Sequence, residues 1–325
     1  MAAARGAPPS RARPFLHDAR CCTYHPRLPN FLVGRALARG GPGAAQLRAR
    51  LRDPEGVSAM GIDQPEERAR DYRARAAVAF GRDRSLRCPY WVGGELACGV
   101  WEDRGAVCRT WHCLHTDGPR GRARWGTLQE ALEVGEHLLA SACVEAGQPP
   151  AAPSPPGDWE AWYRDCATRV AAMPPDDVDA LTTPSLERAL GALAEADAAH
   201  MAPLPERPAP LVRAFRREGD EVILSADSTL DTLTLPASIF QLLSRLDGRP
   251  WTAALAEAEV AIAAASAAPL PPRVVEQLWR AGLLEDRDPD VTPPPVRIRR
   301  GDSERTYETL PRVNALNPRT GRVED

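Results

Sequence analysis

Residues 87–115 read RCPYWVGGELACGVWEDRGAVCRTWHCLH. The segment carries Cys88, Cys98, Cys108 and Cys113 at the spacing C-x9-C-x9-C-x4-C, with His112 and His115 at its end. It also repeats itself. C-P-Y-W, C-G-V-W and C-R-T-W place Trp91, Trp101 and Trp111 each three residues after a cysteine. Helical periodicity is weak and glycine is frequent, so the segment is expected to form loops or short hairpins. Upstream, Cys21-Cys22 is followed by Tyr24 and His25, and Cys21 stands to Tyr24 as each later cysteine stands to its tryptophan.

Thiolates are soft, charged ligands, and several must converge to hold one metal ion or cluster. Cys21, Cys22, Cys88, Cys98, Cys108 and Cys113 are therefore candidate ligands, joined by His25 and His115. His112 is weaker, because it abuts Cys113. The aromatic neighbours are expected to exclude water from the thiolates and so tune their basicity. No C-x2-C pair is present, which argues against a zinc finger or ribbon, and the run is not that of a bacterial ferredoxin. An iron–sulfur cluster, iron and zinc all stay open on spacing alone. Cys143 and Cys166 fall on apolar helix faces and are expected in the core. His17, His137 and His200 read as surface residues.

The remainder of the chain bounds the function. All 41 basic residues among the 325 are arginine, so Schiff-base, P-loop and general-base lysines are excluded. A net charge of −3 gives no global attraction to nucleic acid or anionic membrane. There is no secretory leader and no long apolar run, so a cytoplasmic location with reduced thiols is expected. G-x-S-x-G, H-E-x-x-H, G-x-G-x-x-G and P-loop patterns are missing, and no catalytic residue is assigned. If a thiol reacts, Cys113 and Cys22 are the candidates, since each neighbours another cysteine or a histidine.

Outward from the cysteines, the predicted organisation has five parts. Residues 1–19, rich in Ala, Arg and Pro, read as a disordered tail. Residues 20–147 form the cysteine-cluster domain, with helices over Pro65–Phe80 and Thr127–Glu145, the second opened by a Thr127/Glu130 capping box. Residues 148–200 hold a linker and packing helices: one capped by Asp158 with the stripe Trp159, Trp162, Cys166, Val170 and Met173, and one from Pro184 to Ala199. MAPLPERPAP at 201–210 reads as a second linker. Residues 211–286 read as strands followed by helices over Ala237–Leu246, Trp251–Ala264 and Pro272–Ala281, a small α+β module of winged-helix type. Residues 287–325 read as a flexible tail. The expected fold class is mainly α, with an irregular metal-stapled N-terminal domain and a winged-helix-like C-terminal domain.

The cysteine pattern resembles the YkgJ-type cysteine-cluster family, described as zinc- or iron-chelating. C-P-Y-W followed by A-C-G-V-W-E-D-R-G-A-V-C-R-T-W-H-C carries the likeness, over about residues 20–120. Cys21-Cys22 matches the family's early pair, Cys88, Cys98 and Cys108 its later three, and Arg104 its arginine; Gly105 stands where the family has proline. Flagellin lysine methylases carry a similar cluster, associated with an iron–sulfur centre. Residues 211–286 resemble a PqqD-type peptide-recognition domain through L-V-R, L-T-L-P, L-D-G and W-R-A-G-L-L-E. The resemblance implies a metal-bearing protein that binds or acts on a peptide or protein partner. A metal-responsive DNA-binding regulator and a structural zinc protein without catalysis are the alternatives. Trp251–Ala264 has no arginine and two glutamates, so nucleic acid is the less favoured partner.

Overall fold

The computed structural model describes residues 15–19, 22–53, 55–111, 117–151, 154–212, 214–225 and 232–286, and the backbone of short strands beyond them. It is mainly helical with small antiparallel sheets. The contacts divide the chain into two units, one from 9–111 with 125–195 and one from 112–124 with 196–325.

The cysteine-bearing unit is built on a helix pair. Strand β1 (Leu28–Pro29) leads into α1 (Asn30–Arg39), followed by α2 (Gly41–Leu51). Strands β2 (Val57–Ser58) and β3 (Gly61–Ile62) pair with β1 in the order β1-β3-β2. Helix α3 (Glu66–Ala79) comes next. Hairpin β4 (Trp91–Val92) and β5 (Ala97–Cys98) precede the short α4 (Ala106–Thr110). The long α5 (Gly118–Ala146) and then α6 (Pro156–Ala172), α7 (Pro175–Ala180) and α8 (Pro184–Met201) follow, with the start of α5 up to residue 124 and the end of α8 from residue 196 belonging to the other unit.

Phe31, Leu32, Val33, Ala36 and Leu37 of α1 are buried together with Trp159, Trp162, Tyr163 and Cys166 of α6. These positions recur at the helical period, and their burial is what holds the two helices together. Gly34 makes the approach feasible, since a Cβ there would run into the Tyr163 carbonyl oxygen. The polar ends of the buried aromatics are satisfied: Trp162 Nε1 donates to the Ala59 carbonyl at 3.0 Å, and the Tyr163 hydroxyl to that of Ser58 at 2.8 Å. Asn30, fully buried, donates through Nδ2 to the Ala59 and Ala140 carbonyls, both at 3.0 Å, tying α1 to the β2–β3 turn and to α5.

In the second unit, β6 (Pro208–Pro210) pairs with β10 (Leu284–Asp286). Strands β7 (Ala214–Glu218), β8 (Glu221–Ser225) and β9 (Thr232–Pro236) form a three-stranded sheet in that order. Val222 and Leu224 alternate inward along β8 and lie opposite Leu235 and Leu233. They meet α9 (Ile239–Leu243), α10 (Trp251–Ala264) and α11 (Val274–Arg280) through Ile239, Leu242, Ala254, Ala258, Val274 and Leu278.

Several boundaries differ from the sequence expectation. Helix α5 starts nine residues before Thr127, because Pro119 suits a first helical turn; Thr127 and Glu130 lie within the helix. Asp158 lies in the first turn of α6 rather than at its cap, which is Pro155. Pro208–Pro210 lies in a strand and not in a linker. Phe15–Ala19 departs from the disordered tail. Leu16 donates to the Gly81 carbonyl at 2.7 Å, Ala19 is buried, and Asp18 pairs with Arg84 and Arg87. The tail expected to be flexible contains a hairpin, Val296–Arg300 against Ser303–Tyr307. Among the described residues no helix is long and apolar enough to cross a membrane.

Candidate metal centre

The centre is assembled from three chain segments. The Cys88 amide donates to the Cys22 carbonyl at 2.8 Å, joining the first segment to the second. Thr23, also buried, accepts the Gly81 amide on Oγ1 at 2.7 Å, which fixes the first segment to the end of α3. Past Cys88 the chain turns, with the Trp91 amide donating to the Cys88 carbonyl at 3.1 Å, and enters the hairpin in which Trp91 faces Cys98. The hairpin end packs on α2. A Cβ on Gly43 would run into the Gly99 carbonyl oxygen, and Gln46 Nε2 donates to the Trp91 carbonyl at 3.1 Å.

Helix α4 carries Cys108. Its first amide, that of Ala106, is accepted by the Glu136 carboxylate of α5, and burial pushes that carboxyl above its usual range. The preceding turn is clamped by Asp103, which is 1% exposed and receives Arg39 Nε at 2.9 Å and Arg35 Nε at 3.2 Å from α1. Arg104 lies over the Trp101 ring at 3.4 Å and donates to the Cys108 carbonyl at 3.2 Å.

Cys88 is buried, and Cys22, Cys98 and Cys108 are half-buried. Burial pushes the Cys88 thiol up to about 12, and the charges of Cys108 and Cys98 add to the rise, so the three thiols feel one another's field. His25 is 2% exposed and stands edge-on to Tyr90, centroids 5.8 Å apart. Among the described residues, neither His25 ring nitrogen has a hydrogen-bond partner, nor has the Tyr90 hydroxyl. Burial, helped by the Arg50 and Arg68 charges, pushes the imidazole down to about 3, so it is neutral at pH 7 with a lone pair in the interior. Buried polar groups without partners are few in folded proteins, and a ligand or water is the usual reason.

Five of the eight expected ligands are therefore described, and they occupy one region. Cys21, Cys113 and His115 lie outside the described residues. Among the described residues, no three His, Cys, Asp or Glu side chains close on a single point at metal-ligand spacing. The expected aromatic shell is corrected. Trp91 is buried at 8% exposure, but Trp101 and Trp111 are 53% and 49% exposed, with Arg104 over the Trp101 ring and Trp111 resting on Phe80. Cys143 and Cys166 are core residues, and the Cys143 thiol points at the Cys166 carbonyl, 3.7 Å away. Sequence reasoning missed Tyr90, Asp103 and Glu136. The first two sit within C-P-Y-W and W-E-D-R, while Glu136 shows only as one acid on a long helix.

No family model, curated protein or solved structure gives a significant match to this chain.

Proposed function

We propose that the chain is a metal-binding protein, its centre drawing on Cys22, Cys88, Cys98 and Cys108 with His25; Cys21, Cys113 and His115, the other ligands expected from the sequence, lie outside the described residues. What supports the reading is donor chemistry. Cys88 feels the charges of Cys98 and Cys108 and is bonded through its amide to Cys22, and His25, edge-on to Tyr90, is a neutral, buried imidazole with no hydrogen-bond partner among the described residues. An imidazole without a hydrogen-bond partner is costly in a protein interior, and a bound cation would offset that cost while holding nearby thiols as thiolates. An iron–sulfur cluster or iron would supply electron transfer, whereas zinc would supply a structural cross-link or a Lewis acid.

The C-terminal unit, of winged-helix or PqqD-like order, is proposed to take a peptide or protein partner. The strand order β7-β8-β9 leaves β9 at one side of the sheet, where an extended segment adds by backbone hydrogen bonding.

Anaerobic purification followed by an absorption spectrum and assays for iron, zinc and sulfide tests the metal reading. Absorbance near roughly 400 nm with acid-labile sulfide identifies an iron–sulfur cluster. A colourless protein carrying zinc identifies the structural form. A folded chain that holds no metal, and takes up none, overturns the proposal.

A further inference from the structure

The second unit contains a cleft of about 580 Å³ lined by Asp117, Arg120, His200, Met201, Trp251, Glu276, Trp279 and Arg280, among others. Its lining includes none of the proposed metal ligands, and it does not depend on the metal reading. Its walls are pre-organised. Trp279 Nε1 donates to the Ala202 carbonyl at 3.1 Å, and the Arg120 guanidinium is stacked on the Trp279 ring with Cζ at 3.3 Å from the centroid. Such stacking holds a planar cation in one orientation.

The two arginines of the cleft are not paired with its two acids among the described residues. Asp117 lies 3.8 Å from the His200 ring, an ion pair only when that ring is protonated, and Glu276 has Arg273 at 3.7 Å. Arg120 is half-buried and one of its terminal nitrogens, Nη1, is shut off from water with no acceptor; only the more distant Asp286 charge favours it. Arg280 makes no ion pair among the described residues. Among the described residues, two guanidinium groups therefore lack a directly paired carboxylate beside the apolar surfaces of Trp251, Leu204 and Met201, the last 77% exposed.

We infer that this cleft binds a carboxylate with an attached apolar group: the carboxylate on Arg120 and Arg280, the apolar group against Trp251 and Leu204. A carboxylate matches the guanidinium fork in two parallel hydrogen bonds, and the resident acids Asp117 and Glu276 disfavour a more highly charged phosphate. The carboxylate could come from a small aromatic acid or from the C-terminus of a peptide.

Calorimetric titration of the full chain with 3-phenylpropionate tests this, alongside its neutral amide, inorganic phosphate and N-acetylphenylalanine. The acid is expected to bind at least about tenfold tighter than the amide, and Arg280→Gln and Arg120→Gln each to erase that preference. Arg280 is exposed, so its variant keeps the test valid if Arg120→Gln misfolds. Tighter binding of N-acetylphenylalanine than of the simple acid assigns the site to peptide termini; the reverse order assigns it to small acids. Equal affinity for acid and amide, tighter binding of phosphate, or no heat from either carboxylate overturns the inference.

Discussion

The backbone amide of Cys88 is hydrogen-bonded to the carbonyl of Cys22 at 2.8 Å, across 66 residues of sequence. This one bond brings the early cysteine segment beside the later one. The neighbouring Thr23–Gly81 bond holds the same segment from its other side, at 2.7 Å. The thiols are therefore placed by backbone geometry.

That placement has a measurable dependence on Thr23. Thr23→Val keeps the shape but leaves the buried Gly81 amide without an acceptor. The expected loss is about 1–3 kcal/mol in urea denaturation, the cost of an unmade buried hydrogen bond. Bound metal should leave the variant faster on chelator challenge. A variant with unchanged stability and unchanged release would show that the first segment is held elsewhere.

Asp103 sets the second dependence. Its carboxylate is buried, while Arg35 and Arg39 are about half exposed. Removing both arginines strands a charge in the interior, for which about 3–5 kcal/mol is expected. Removing the carboxylate as Asp103→Asn leaves two arginines that reach water, and a smaller loss is expected. Chemical denaturation of the three proteins gives the order directly, and equal losses would refute the asymmetry.

His25 predicts a pH dependence in the metal-free chain. Its folded-state value lies at about 3, against 6.5 for the ordinary side chain. The unfolded chain takes up the proton first as pH falls, so stability is full above about 6.5 and declines between there and about 3. At about 1.4 kcal/mol per unit the loss amounts to several kcal/mol. His25→Leu is expected to flatten the urea midpoint across that window. The same acid slope in both proteins would place the titrating group elsewhere.

Periodicity was informative wherever local spacing controls structure. The stripe Trp159–Trp162–Cys166 announces α6, and the helix is present. Turn chemistry misled at Thr127, where a capping pair falls inside a helix already started at Gly118. Phe15–Ala19 looked disordered by composition, yet Phe15 packs on Phe80, a partner 65 residues away that no local pattern reveals. The centre divides in the same manner. Its cysteines are visible as a spacing motif, but the Cys22–Cys88 bond, the Glu136 cap on α4 and the Asp103 clamp all join distant segments. Exposure of Trp101 and Trp111 follows from which face of the loop meets α1 and α2, and a C-x2-W repeat carries no information on that.

The most direct test compares metal content per chain in the wild type, Cys88→Ser and Cys143→Ser, all purified without oxygen and verified as folded by circular dichroism. Both cysteines are buried, so burial alone does not separate them. Only Cys88 belongs to the proposed centre. The account predicts bound metal in the wild type, its loss or sharp reduction in Cys88→Ser, and wild-type content in Cys143→Ser. Equal metal content in all three folded proteins, or none in any, would contradict it.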